Sequence, residues 1–163
     1  MIAAIFAIDE AGGVGWKGSL PWPNNKDDLR WFKTTTQDQI VVMGKKTWES
    51  PDMPKPLPGR INVIFTNTFF DRDDIEQIKG DACEALTSIQ SSHEKKDVYV
   101  IGGVNLLLQS RPVLKKVFLT RIKGEYLSDT FIDIDKFLEG AVLVKTLNLG
   151  SCNVEEYDIE TIS

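Results

Sequence analysis

Val14-Gly-Trp-Lys-Gly-Ser-Leu-Pro-Trp-Pro-Asn-Asn-Lys-Asp-Asp-Leu-Arg-Trp-Phe32 joins a loop of glycines and prolines to a helix start that carries two acids. Pro21 and Pro23 exclude a regular element just before Asn24. Asn24 or Asn25 is a favoured N-cap, so a helix of about ten residues is predicted to follow and to end in Thr34-Thr-Thr36. Asp28, Leu29 and Phe32 share one face of that helix, because positions three and four apart are neighbours. Upstream, residues 2–8 are nearly all apolar, as expected for a strand buried on both faces of a sheet. Residues 9–24 between them read as a loop, long for a structureless connection, and such loops are usually functional. A buried strand, a long loop and an amphipathic helix are the opening of an α/β chain.

The rest continues the alternation. Strands are predicted at 39–43, 62–66 and 98–101 and within 113–122, with a shorter one at 75–78. Helices are predicted at 44–50, 81–92 and 104–109, the second with Ala82, Ala85, Leu86 and Ile89 inward. Pro51, Pro54, Pro56 and Pro58 forbid regular structure before Arg60. Residues 129–134 read as extended or loop. Residues 141–149 and 154–162 read as a terminal antiparallel pair joined through Gly150-Ser151. The expected fold is α/β: a mainly parallel central sheet of about eight strands, with helices on both faces and a C-terminal antiparallel hairpin. With no repeat or linker to divide it, the span 1–163 is expected to be one domain.

Composition narrows the function. The hydrophobic fraction of 42% is that of a soluble globular protein. No apolar run is long enough for a membrane span, and the N-terminus reads as a strand and not as a signal peptide. The net charge of −5 disfavours a nucleic-acid partner, so an anionic ligand would need local positive groups or helix N-termini. Cys83 and Cys152 lack C-x-x-C spacing; two free thiols in a reducing cytoplasm are expected, with one disulfide as the alternative. His93 is the only histidine and sits in a polar run read as a solvated loop. A histidine triad or a zinc cluster is therefore disfavoured, and no metal is expected.

Several short stretches carry chemistry, each with a plainer reading beside it. Gly13-Val-Gly15-Trp-Lys-Gly18 has the G-x-G-x-x-G spacing of a dinucleotide turn. Its last glycine would have to open a helix, which Leu20-Pro-Trp-Pro23 prevents, so the glycines read as hinges of a mobile lid. Met43-Gly-Lys-Lys-Thr-Trp48 is a strand-to-helix turn suited to a phosphate, or simply a basic first turn. Val100-Ile-Gly-Gly-Val-Asn-Leu-Leu107 is a second such turn, where paired glycines let backbone approach a ligand, or merely a tight turn. Together the two suggest a dinucleotide diphosphate. Asp27-Asp28 fits helix-dipole compensation. Leu29, Trp31 and Phe32 would nonetheless bring Asp28 against an apolar wall that raises its pKa and suits it to proton delivery. Arg60, after Leu57-Pro-Gly, could bind both oxygens of a carboxylate or be a solvated loop arginine.

Taken in order, these pieces resemble dihydrofolate reductase: Ile5-Phe-Ala7, Gly15 through Leu20-Pro-Trp22, Asp28-Leu-Arg-Trp-Phe32, Val42-Met-Gly-Lys-Lys-Thr-Trp-Glu-Ser50, Leu57-Pro-Gly-Arg60, Val100-Ile-Gly-Gly103, Leu119-Thr-Arg-Ile122 and Gly124 to Asp129-Thr130. The resemblance spans nearly the whole chain. It implies reduction of 7,8-dihydrofolate to tetrahydrofolate by hydride from NADPH, with antifolates as inhibitors. Asp28 would be the single acid of the pterin pocket, binding the 2-amino group and N3 and promoting protonation at N5. Thr120 would hydrogen-bond that acid and Trp22 would order a water nearby. Ile5, Leu29, Phe32, Leu57 and Ile101 would line the folate site, and Arg60 would take the α-carboxylate of the glutamate tail.

On the cofactor side, the resemblance makes residues 13–22 the mobile loop, with Leu20 closing over nicotinamide and pterin and Val14, Gly15, Gly18 and Ser19 beside the cofactor. Ala7 and Ile101 would meet the nicotinamide. Gly102-Gly103 matches the family's cis peptide, followed by Val104, Asn105 and Leu106 at the diphosphate. Gly44, Lys45, Lys46, Thr47, Thr66 and Asn67 would address phosphates and adenosine, within an adenosine-binding subdomain at roughly 39–95. Lys45 and Lys46 favour NADPH over NADH. The chain departs from the family at Val104-Asn-Leu-Leu107, Asn67, Ser19 and the long stretch from Pro51 to Pro56. A same-fold reductase of another pterin or a pyrimidine, and a non-catalytic folate-binding or structural homologue, are the alternatives. A cytoplasmic protein is expected, and a monomer by default, since no extra interface element is evident.

Overall fold

The structure, a computed structural model, describes residues 1–160. Its strands are β1 (Ile2–Ile8), β2 (Gly13–Gly15), β3 (Ile40–Gly44), β4 (Ile61–Phe65), β5 (Glu76–Ile78), β6 (Val98–Gly102), β7 (Lys116–Ile122), β8 (Thr130–Phe131), β9 (Ala141–Asn148) and β10 (Cys152–Ile159). The helices are α1 (Lys26–Thr36), α2 (Lys45–Trp48), α3 (Ala82–Ser92), α4 (Val104–Ser110) and α5 (Ile134–Phe137). Eight strands form one sheet in the order β5-β4-β3-β6-β1-β7-β10-β9. Pairing is parallel from β5 through β7 and antiparallel from β7 through β10 to β9. The expected α/β sheet with its terminal hairpin is the observed one.

Alternation along the strands explains why both faces carry helices. Ile2, Ala4 and Ile8 of β1 face a core shared with Ala82, Leu86 and Ile89 of α3 and with Leu106 and Leu107 of α4. Ala3 and Ile5 point the other way, into a cluster with Trp31 and Phe32 of α1. Val41 and Met43 of β3 do the same against Trp48 and Leu57. The chain crosses by α1 on one face and by α3 and α4 on the other. In α/β sheets such a reversal of side marks the C-terminal ends of the strands as the place where ligands bind.

Several expectations need correction. The stretch 9–24 is not all loop: β2 pairs with β8, and Trp16 and Ser19 bridge as a tight hairpin. The stretch 129–134 is extended or loop as expected up to residue 133, contributing β8, but it then runs into α5, a helix too short to leave a periodic pattern. β10 begins at Cys152, two residues earlier than expected, and its expected end at Ile162 lies outside the described residues. His93 caps the C-terminus of α3, and its ring is half-buried 3.5 Å from Glu76, not solvated. Both cysteines are free thiols. Among the described residues no helix is long and apolar enough to cross a membrane.

Candidate active site

The acid comes from the first turn of α1. Asn25 is the N-cap, its side-chain oxygen accepting the Asp28 N–H at 3.0 Å. That cap fixes which acid turns inward. Burial raises the Asp28 carboxyl above its ordinary value, and the Thr120 hydroxyl of β7 opposes part of the rise. Asp27 turns outward, where the Ser151 hydroxyl donates to it at 2.6 Å and holds its carboxyl below the ordinary range. A crevice of about 470 Å³ behind the start of α1 is lined by Asp27 and Ser151, but not by Asp28.

Around Asp28 the sheet supplies apolar walls. Thr120 stands beside Ala7 in the β1–β7 register, and Ile5 beside Phe118. Ile5 is buried with Phe32 and Ile101 packed near it. Phe32 and Ile101 also pack on the neighbouring cluster that holds Leu57. Leu29 is exposed on α1. Trp22 is 5% exposed, packs with Ala7 and Ile122, and its indole N–H has no partner. Arg60 is half-buried, donating to the Pro58 carbonyl at 3.0 Å and the Thr36 hydroxyl at 3.2 Å, with its guanidinium 5.9 Å from the Phe32 ring centre. Ile5, Phe32, Leu57, Arg60 and Ile101 thus belong to one wall, contributed by four separate segments.

The two glycine turns meet across β3 and β6. Gly102–Gly103 is cis, and Gly102 has φ +138°. A Cβ on Gly102 or Gly103 would lie 3.6 or 3.8 Å from the Thr47 hydroxyl, and one on Gly44 would lie 3.9 Å from Gly103 N. The first N–H groups of α2 and α4 have no intrahelical partner, so Lys45, Lys46 and Thr47 face one trough with Val104, Asn105 and Leu106. Bare backbone and paired helix starts fit a diphosphate. The Leu106 side chain is buried in the core, which leaves its N–H as the group for a ligand. Lys45 reaches Thr68 at 3.4 Å beside exposed Asn67 and half-buried Thr66.

The lid is more ordered than hinge glycines imply. Gly13 and Gly15 are needed for close approach: a Cβ on Gly13 would meet the Ser128 hydroxyl at 2.2 Å, and one on Gly15 would meet Thr130 at 3.3 Å. Lys17 and Gly18 both have positive φ, the signature of a tight hairpin turn, with Val14 and Ser19 flanking. Leu20 is 44% exposed at its end. Three acids that hold this segment had no role in the sequence reading. Asp9 is buried and accepts from the N–H groups of Ala11, Gly13 and Tyr126 at 2.9, 2.8 and 2.9 Å. Asp129 accepts from Lys17 N–H at 2.9 Å and gives its own N–H to the Gly15 carbonyl. Asp52 accepts from Leu20 N–H at 3.2 Å. Only Asp129 had a sequence signal, as the end of a block in the resemblance.

The dihydrofolate reductase family model matches residues 1–140. A type 8 dihydrofolate reductase of Escherichia coli is 30% identical over 163 aligned residues, covering 97% of this chain and 90% of the relative. The dihydrofolate reductase of Sus scrofa is 30% identical over 150 residues, covering 82% of this chain and 81% of its own. Among solved structures, the dihydrofolate reductase from Enterococcus faecalis, complexed with NADP(H) and RAB-propyl, aligns with TM-score 0.77 at 29% identity over 97% of this chain and 95% of that one. With the family model covering most of the sequence and a 30% identical relative covered over nine tenths of its length, the chain belongs to the dihydrofolate reductase family.

Proposed function

We propose that Asp28 is the acid around which this protein carries out the reaction of its family, NADPH-dependent reduction of 7,8-dihydrofolate to 5,6,7,8-tetrahydrofolate. The observation that carries the assignment is burial. Desolvation is the largest influence on Asp28 and raises its carboxyl, whereas at Asp27 the Ser151 hydroxyl outweighs it, and Asp28 alone has the Thr120 hydroxyl beside it. A carboxyl poised closer to neutral pH can bind the 2-amino group and N3 of a pterin and still promote protonation at N5. Trp22, with its indole N–H unpartnered, is suited to order a water between Asp28 and the ring. Ile5, Leu29, Phe32, Leu57 and Ile101 hold the flat ring, and Arg60 takes the tail carboxylate.

NADPH, when bound, supplies the hydride to C6. The chain's task toward it is placement. Ala7 and Ile101 stand at strand ends where a nicotinamide would lie, and the trough from Gly44 to Thr47 and from Gly102 to Leu106 takes the diphosphate. Lys45, Lys46, Thr66 and Asn67 take the adenosine end. Leu20 and the lid from Val14 to Ser19 exclude water from the reacting atoms. The reading takes the protein to be a cytoplasmic monomer, since both halves of the cleft come from one chain. It also includes antifolate binding; the Enterococcus faecalis relative is complexed with RAB-propyl besides NADP(H). The net charge of −5 argues against a nucleic-acid partner.

The test is a spectrophotometric assay of NADPH oxidation. Oxidation is expected only with dihydrofolate present. Asp28→Asn is expected to lower the rate by roughly 10²-fold or more, the usual worth of a positioned acid, with the largest loss at high pH. An unchanged Asp28→Asn beside a crippled Asp27→Asn would transfer the role to Asp27.

A further inference from the structure

We propose that Asp52 is a positioning residue that latches the lid over the cofactor trough, with Asp129 as the pivot on the opposite side. Four of the backbone donors at the lid tip, those of Trp16, Lys17, Ser19 and Leu20, have identified acceptors. Trp16 and Ser19 exchange N–H···O bonds at 2.8 and 2.9 Å, which closes the hairpin on itself. Two further N–H groups leave it, and both end on carboxylates. Lys17 donates to Asp129, and Leu20 donates to Asp52. Leu20 is the last lid residue able to donate before Pro21.

The two anchors differ in strength. Asp129 is joined twice, by its carboxylate and by its own N–H to Gly15, both at 2.9 Å. Asp52 is joined once, at 3.2 Å, and both anchors are exposed, so the difference lies in the number and length of the bonds. A tight hairpin held firmly at one edge and weakly at the other opens at the weak edge. The weak edge faces the segment that follows α2, whose first turn belongs to the proposed cofactor trough. Asp52 itself is held by its N–H to the Ser50 hydroxyl at 3.3 Å. The same turn is braced by the Met53 N–H and the Lys55 ammonium on the Ser50 carbonyl, both at 3.0 Å. The latch therefore presents a fixed acceptor to a moving donor. It secures Leu20, the residue proposed to close over nicotinamide and pterin, and so it rests on that reading of the site.

The experiment measures NADPH release by stopped-flow competition in the absence of dihydrofolate, so it is independent of turnover. Asp52→Ala is expected to speed release about 5- to 20-fold and to raise KM for NADPH more than KM for dihydrofolate. Asp52→Asn, which keeps an acceptor oxygen, is expected to return release to within about threefold of the parent. Thermal unfolding of both variants should stay near that of the parent, because the bond is exposed. Unchanged release in Asp52→Ala would overturn the latch, as would equal acceleration by Asp52→Asn and Asp52→Ala. A protein that binds NADPH with these rates but reduces no dihydrofolate would overturn the catalytic reading and leave the latch standing.

Discussion

One side chain, Asp28, sets a conflict between stability and chemistry. Its carboxyl is raised above its ordinary value because folding removes it from water. In that situation the folded state binds more protons than the unfolded state once pH exceeds about 3.8, so the carboxyl's contribution to stability falls as pH rises through its folded-state pKa. Asp28→Asn has no charge to desolvate. The variant is expected to unfold at a higher temperature than the parent at neutral pH. The difference should shrink as pH falls toward 3.8 and vanish well below it, where both states of the parent are protonated. A melting curve in which Asp28→Asn is less stable at neutral pH would show that the carboxylate is a net stabiliser. Helical spacing alone brought Asp28 and Phe32 to one face, so this part of the site was legible in the sequence. What it could not supply was the partner of Asp27, because the Ser151 hydroxyl that holds that acid lies 124 positions away.

Elements with strong periodicity were legible, and the lid was not. Buried strands such as β1 and β3 announce themselves by apolar runs, and α1 by its cap. β2 is Gly-Val-Gly and β8 only two residues long, so neither carries a strand signature. Their pairing depends on glycines admitting Ser128 and Thr130, which is a tertiary cause. Asp9 is the piece that ties this small sheet to the large one. Its two oxygens gather N–H groups from both sides: Ala11 and Gly13 leading into β2, and Tyr126 in the segment leading to β8. Asp9→Ala would leave three N–H groups without that acceptor at a buried junction. It is expected to cost about 2–4 kcal/mol in denaturant unfolding. Amide exchange should also quicken in residues 13–20 and 126–131, with β4 and β5 unaffected. Exchange that quickens evenly over the whole sheet would show Asp9 to be an ordinary core group and not the junction of the lid.

At the scale of the molecule, the question is whether the segment 39–95, proposed to bind adenosine, can unfold by itself. It contributes β3, β4 and β5, which form one end of the sheet. Its inner strand β3 is hydrogen-bonded to β6, and β6 to β1, so the ladder has no gap at the border. The core does not divide there either: Val63 of β4, Val100 of β6 and Val117 of β7 lie in one continuous cluster with Leu86 of α3. Freeing 39–95 would expose β6 along one edge and open that cluster. A single cooperative transition is therefore expected. Trp48 reports from within the segment, and Trp22 and Trp31 from outside it. Single-tryptophan variants and far-UV circular dichroism should give coincident midpoints. NADPH at about 100 times its Kd should add about 2.7 kcal/mol and move the whole transition up by roughly 5–10 °C. If NADPH moved only the Trp48 signal, leaving Trp31 at its original midpoint, the trough would belong to a separately folding unit. The latch from Leu20 to Asp52 would then bridge two bodies instead of two edges of one.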